Sequence, residues 1–264
     1  MTMLKNRISN QPCEHKNQPH NVLHRPALSL RAIPRMQLYL PWCIRKLTPW
    51  DHHLGNDELV KLRFQGLLSI NEFLEIIDNA INQYSMEETV LGGEEPTIDP
   101  ALPMIVRELN NRRLRIRLLT NAYEISNELL NELGLCGDCE VVIGIKTLDP
   151  SKHIKYTGKP PLEPVLRNIK RLLESGVRVI FETVLIPGLN DAKDIEGIAK
   201  YLTGITRDPV LIIDPLIPIP GTPWRRPTQE ELNEAMSRAG RYVRVMTHEK
   251  IGRPSRVVVL YPRL

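Results

Sequence analysis

The chain has too few cysteines for a secreted, cross-linked scaffold: 264 residues carry only Cys13, Cys43, Cys136 and Cys139. So sparse a set excludes a fold stapled by disulfides and points to a reducing, cytoplasmic setting. Long apolar runs are missing as well. The stretch Val210–Ile213 is far shorter than the roughly 20 apolar residues a membrane-spanning helix needs. Residues 1–30 are polar, carry His15, His20 and His24, and contain no apolar core of a signal peptide. No Lys/Arg block occurs either. With 35 basic and 31 acidic residues the net charge is +4, which gives no footprint for nucleic acid. What is present, 42% hydrophobic and 25% charged residues, suffices for one domain with a full core.

Residues 1–32 show no hydrophobic periodicity and read as an N-terminal extension outside the core, leaving residues 33–264 as the domain. Cys13, His15, His20 and His24 are zinc-ligand residue types, but their spacing fits no zinc pattern, and a solvated tail is the plainer reading. Strands are expected at Ile33–Tyr39, Glu88–Leu91, Leu114–Leu119, Val141–Ile145, Val177–Leu185 and Val210–Asp214. Shorter ones are expected at Tyr242–Met246 and Arg256–Tyr261. Between them the pattern turns helical. Ser69-Ile70-Asn71-Glu72 is a capping box, and Phe73, Ile76, Ile77, Ala80 and Ile81 follow on one helical face. Thr228 and Glu231 form a second box. Strand and helix alternate without a repeat period, which predicts an α/β fold: a partial or full (β/α) barrel of at least six parallel strands.

In such a barrel, chemistry sits at the C-terminal ends of the strands. There the informative residues gather. Cys43 follows the first expected strand, Gly92-Gly93-Glu94-Glu95-Pro96 the second and Thr120-Asn121 the third. Lys146 follows the fourth, Pro187-Gly188-Leu189-Asn190-Asp191 the fifth, and Asp214 ends the sixth. The plainer reading of Lys146 is a solvated strand end or an ion pair with Asp214. Cys136 and Cys139 precede a strand and so belong to the opposite end, as a structural or disulfide-bonded pair.

The stretch Arg35-Met36-Gln37-Leu38-Tyr39-Leu40-Pro41-Trp42-Cys43 resembles the cluster loop of radical S-adenosylmethionine (SAM) enzymes, especially those like pyruvate formate-lyase activating enzyme. The likeness extends over residues 33–245. In that family three cysteines, spaced Cys-x-x-x-Cys-x-x-Cys, hold a [4Fe-4S] cluster. Here Pro41-Trp42-Cys43 supplies the ending, while Met36 and Leu40 stand at the first two cysteine positions. The resemblance implies that Gly92, Gly93 and Glu95 (or Glu94) receive the SAM ammonium and that Lys146 receives its carboxylate. Asn121 and Asp214 line the same cofactor site. Ile143–Asp149, Tyr156-Thr157-Gly158 and Val184–Asp191 are similar to further family segments, and Ala122 stands where the family often has glycine.

The implied cofactors are SAM and a [4Fe-4S] cluster whose ligand set is incomplete. The implied reaction is reductive cleavage of SAM to a 5′-deoxyadenosyl radical, with a small molecule or a protein as substrate. Iron in such clusters requires thiolates, which a thioether and a hydrocarbon do not replace. Two readings follow. In one, Cys43 is joined by Cys13 or a histidine of the extension. In the other, the chain is a cluster-free relative that binds a ligand or a partner.

Overall fold

The structure, a computed structural model, describes residues 3–8, 27–31, 40–43, 68–93, 95–158, 162–248, 256–258 and 260. Its centre is one nine-stranded sheet. The strands are β1 (Met3–Ile8), β2 (Ala27–Arg31), β3 (Glu88–Gly92), β4 (Arg115–Thr120), β5 (Cys139–Gly144), β6 (Arg178–Leu185), β7 (Val210–Pro215), β8 (Arg244–Met246) and β9 (Arg256–Val258). Their order is β8-β7-β6-β5-β4-β3-β2-β1-β9. From β2 to β8 each strand is parallel to the next in sequence. Such stepwise winding belongs to a curling β/α barrel rather than to a doubly wound sheet. β1 is antiparallel to both β2 and β9.

The helices fall between the strands: α1 (Ile70–Tyr84), α2 (Leu102–Asn111), α3 (Asn127–Leu135), α4 (Pro150–Thr157), α5 (Glu163–Glu174), α6 (Ala192–Thr203) and α7 (Gln229–Ala239). The expected capping boxes form at both Ser69/Glu72 and Thr228/Glu231, and Asp191/Asp194 adds a third. No helix among the described residues is long and apolar enough to cross a membrane.

Two expectations are corrected here. Residues 1–32 do not stand outside the sheet, because β1 and β2 lie within them and pair along it. α4 was not expected. Asp149 caps its first turn through Ser151 and Lys152, and Gly158 closes it at φ +67°. The strand expected at Ile33–Tyr39 lies outside the described residues, as do His15, His20 and His24.

Alternation along each strand separates two environments. Ile116, Leu118, Val141, Ile143, Phe181, Leu211 and Ile213 face the helices in the main core. On the other, concave face Val142, Ile180, Val210 and Ile212 make a separate apolar layer. Towards the N-terminal edge this layer gives way to charge. Arg117 Nε donates to Glu140 Oε1 at 2.8 Å, with Glu88 at 3.2 Å and Arg178 on Glu140 at 3.1 Å. Arg117 and Glu140 are register partners, as are Glu140 and Arg178, so the alternating arginines of β4 face a carboxylate on the neighbouring strand.

Candidate active site at the barrel mouth

Cys43 lies at the C-terminal mouth, where the sequence placed it. Its backbone N–H closes a turn on the Leu40 carbonyl at 3.1 Å. Leu40 and Trp42 are buried in an apolar cluster with Ile186 and Leu189, just past β6, and Leu216, just past β7; Cys43 packs against it. Trp42 also meets Trp224 edge to face, with ring centroids 5.5 Å apart and planes at 84°. Cys43 therefore stands on the β6–β7 side of the mouth, while Gly92, Gly93 and Glu95 follow β3. Met36 lies outside the described residues.

Gly92 and Gly93 both have backbone reasons. A Cβ on Gly92 would come 3.1 Å from Leu119, and Gly93 has φ +113°, which disfavours any side chain. Glu94 lies outside the described residues. Glu95 is 1% exposed, and its carboxylate is tied into the fold. Oε1 accepts from the Thr120 hydroxyl at 2.6 Å and from the Thr97 hydroxyl at 2.7 Å, and Oε2 accepts from the Asn121 amide at 2.8 Å. Burial pushes this carboxyl up, and the hydrogen bonds from Thr120, Asn121 and Thr97 pull the other way without prevailing. Glu95 thus joins the loop after β3 to the end of β4, leaving Oε2 with one protein donor. Ala122 adopts φ +57°, the left-handed conformation that glycine would adopt freely.

Lys146, just past β5, curls back over Gly144. Its Nζ lies 2.6 Å from where a Gly144 Cβ would be, so only glycine leaves that path open. Asp214 does not pair with it within ion-pair distance. Instead Asp214 accepts from His248, both from the backbone amide at 2.8 Å and from ring Nδ1 at 2.7 Å. Glu182 of β6 lies on the same concave face, half-buried. Burial pushes its carboxyl up and Asp214 adds to this, while Lys146 and His248 oppose it.

A cavity of about 10 Å³, room for one water at most, is lined by Lys146, Thr147, His153, Asn190 and Trp42 among others. His153 Nε2 and Asn190 Oδ1 are buried there with no hydrogen-bond partner among the described residues. Burial holds the His153 imidazole below its ordinary value, against the charge of Glu163.

The residues expected from the sequence are Cys43, Gly92, Gly93, Glu95, Asn121, Lys146 and Asp214. Glu182, His248 and His153 are not among them. A glutamate inside the apolar run Val179–Leu185 was the available signal for the first; His248 carried none. Lys146 carries an ammonium at this mouth, and Glu95 Oε2 and Asn190 Oδ1 are acceptor atoms.

The cluster does not fit. Among the described residues no three His, Cys, Asp or Glu side chains converge as metal ligands, and Leu40 places a hydrocarbon where a thiolate is required. Cys136 and Cys139 are disulfide-bonded to each other at the start of β5, the opposite edge of the sheet.

Parallel strands wound stepwise into a partial barrel, with polar residues gathered at its mouth, define a β/α-barrel protein. The chain belongs to the radical SAM superfamily: the superfamily's sequence model matches residues 41–202, more than half of it. It is 31% identical over 137 residues to a Methanocaldococcus jannaschii protein named as a glycyl-radical enzyme activating enzyme, covering 51% of each chain. It is 28% identical over 139 residues to the benzylsuccinate synthase activating enzyme of Thauera aromatica, covering 51% of this chain and 41% of that one. The chain thus spans about half the length, or less, of these curated relatives. In structure it is similar to Streptococcus suis SuiB bound to SAM, with TM-score 0.60, 14% identity and coverage of 71% and 45%. A radical SAM methyltransferase from Sphaerobacter thermophilus gives TM-score 0.62, 18% identity and coverage of 84% and 66%.

Proposed function

We propose that this chain is a SAM-binding barrel of the activating-enzyme type, with Gly92, Gly93, Glu95, Asn121, Lys146 and Asp214 lining the seat of the ligand. With a complete set of cluster thiolates, this type performs reductive cleavage of SAM at a [4Fe-4S] cluster, which yields methionine and a 5′-deoxyadenosyl radical that takes a hydrogen atom from a substrate; the part proposed for this chain is the SAM seat. The partner class we favour is a polypeptide. Two relatives are named for activating enzymes, and SuiB has been solved with a precursor peptide.

The observation that carries the proposal is local. Lys146 has no hydrogen-bond partner among the described residues, and beside it two buried polar atoms, on His153 and Asn190, also lack one. These groups offer one cation and two polar atoms to a polar ligand. Calorimetry with SAM tests this: Lys146→Ala should weaken binding tenfold or more, the worth of a charged hydrogen bond of about 1.5–3 kcal/mol. Absence of binding at millimolar SAM would sink the proposal and leave a partner-binding barrel. That second reading, a cluster-free relative, is favoured by the burial of Leu40 and Trp42 in the mouth.

A further inference from the structure

The distribution of thiols in the fold decides more than their number. Cys136 and Cys139 occupy the N-terminal edge of the parallel strands and are joined to each other. Cys13 belongs to the connection between β1 and β2, residues 9–26. Arg7 pairs with Ala27 and Met3 with Arg31, so β1 descends while β2 rises, and both ends of that connection are anchored at the same N-terminal edge. Cys13 follows Ile8 by only five residues. Fully extended, at about 3.3 Å per residue, these reach roughly 17 Å, about the height of a five-residue strand. Cys43, by contrast, packs on residues just beyond the ends of β6 and β7. Among the described residues Cys43 is the only cysteine at the mouth.

Of the two positions that would complete the set, Leu40 has been given to packing. Leu40 is 9% and Trp42 7% exposed, enclosed with Ile186, Leu189 and Leu216 and braced by Trp224. A buried leucine contributes about 1.5–3 kcal/mol by leaving water, so this loop has its own reason to stay seated without a metal. Met36 adds a thioether, which does not ligate such iron as a thiolate does.

We infer that this chain holds no [4Fe-4S] cluster at Cys43 and that the turn Leu40–Cys43 acts instead as an apolar plug on the barrel mouth, beside which SAM binds and stays intact. The inference rests on the SAM-binding reading above, and the two fail separately. The experiment is anaerobic iron-sulfur reconstitution of the full chain and of the double variant M36C/L40C, with iron counting and visible absorption. SAM calorimetry is run on the same samples.

The unaltered chain should hold less than one cluster per molecule, and its affinity for SAM should be the same before and after reconstitution. M36C/L40C, with three thiols restored at the family spacing, should gain about four irons and the broad absorption of the cluster. About four irons on the unaltered chain, lost in both Cys13→Ala and Cys43→Ala, would overturn the inference. Failure of a folded double variant to gain iron would overturn the assignment of the defect to positions 36 and 40. Should that variant not fold, the iron count of the unaltered chain decides alone. A chain that takes up no iron and binds no SAM refutes the proposed function while leaving the cluster assignment standing.

Discussion

His248 grips Asp214 twice, through its ring Nδ1 at 2.7 Å and through its own backbone amide at 2.8 Å. Burial pulls the imidazole down, but the hydrogen bond and charge of Asp214, with Glu182 behind them, outweigh it and hold the folded value above 6.5. A raised imidazole contributes stability that is complete below its unfolded value and is lost as pH rises through the folded one. Stability should therefore decline from about pH 6.5 upward. Asp214→Asn should flatten that slope and bring the His248 titration, followed by NMR, down to or below its ordinary value. An unchanged titration would show that Asp214 does not set it.

Glu182 makes the reverse case for a carboxylate. Its folded value is raised, first by burial and then by Asp214, so folding favours the protonated form more than the unfolded chain does. The associated stability is present below the ordinary value of 4.5 and lost as pH rises. Glu182→Gln removes the ionisation. Denaturant unfolding should show little difference from the unaltered chain near about pH 4 and a more stable variant near about pH 8.

Glu95 can be tested as scaffold and as ligand contact at once. Truncation to alanine strands the Thr120 hydroxyl and the Asn121 amide in a buried site, at a cost of about 2–4 kcal/mol. Urea midpoints for Glu95→Ala should fall accordingly, and Glu95→Gln should recover part of the loss. If Glu95→Ala unfolds with the midpoint of the unaltered chain, the carboxylate does not brace β4.

Trp42→Ala should loosen the plug. The ring is buried and faces Trp224, so its loss removes both area and an edge-to-face contact worth about 0.5–1.5 kcal/mol. The half-buried Cys43 thiol should react faster with a thiol reagent, and the Trp224 emission should shift toward that of solvated indole. Equal reactivity before and after the substitution would mean that Trp42 does not shelter Cys43.

Much of the barrel was legible because its strands and helices keep their own hydrophobic periods. α1 and α7 announce themselves by capping boxes, and β5 by a run of β-branched residues. β1 and β2 were hidden, since Met-Leu-Lys-Asn-Arg-Ile and Ala-Leu-Ser-Leu-Arg lie among His, Asn and Pro and carry no buried stripe long enough to count. α4 was hidden for another reason: it has few apolar residues and is marked by Asp149 and Gly158 at its ends. In the site, motif residues were found by their order along the chain. The Asp214–His248 pair joins residues 34 apart, and no local pattern foretells such a meeting. The direction of the Glu95 carboxylate was equally invisible, because its partners follow a different strand.

The pairing of β1 with β9 ties residues 6–8 to residues 256–258. During synthesis the first of these strands leaves the ribosome long before its outer partner exists. Until then its outer edge carries unpaired amides and carbonyls, which can recruit another nascent chain. A stalled or truncated translation product would thus be sticky in a way the finished molecule is not, and chaperone dependence should track the arrival of the last strand rather than completion of the barrel.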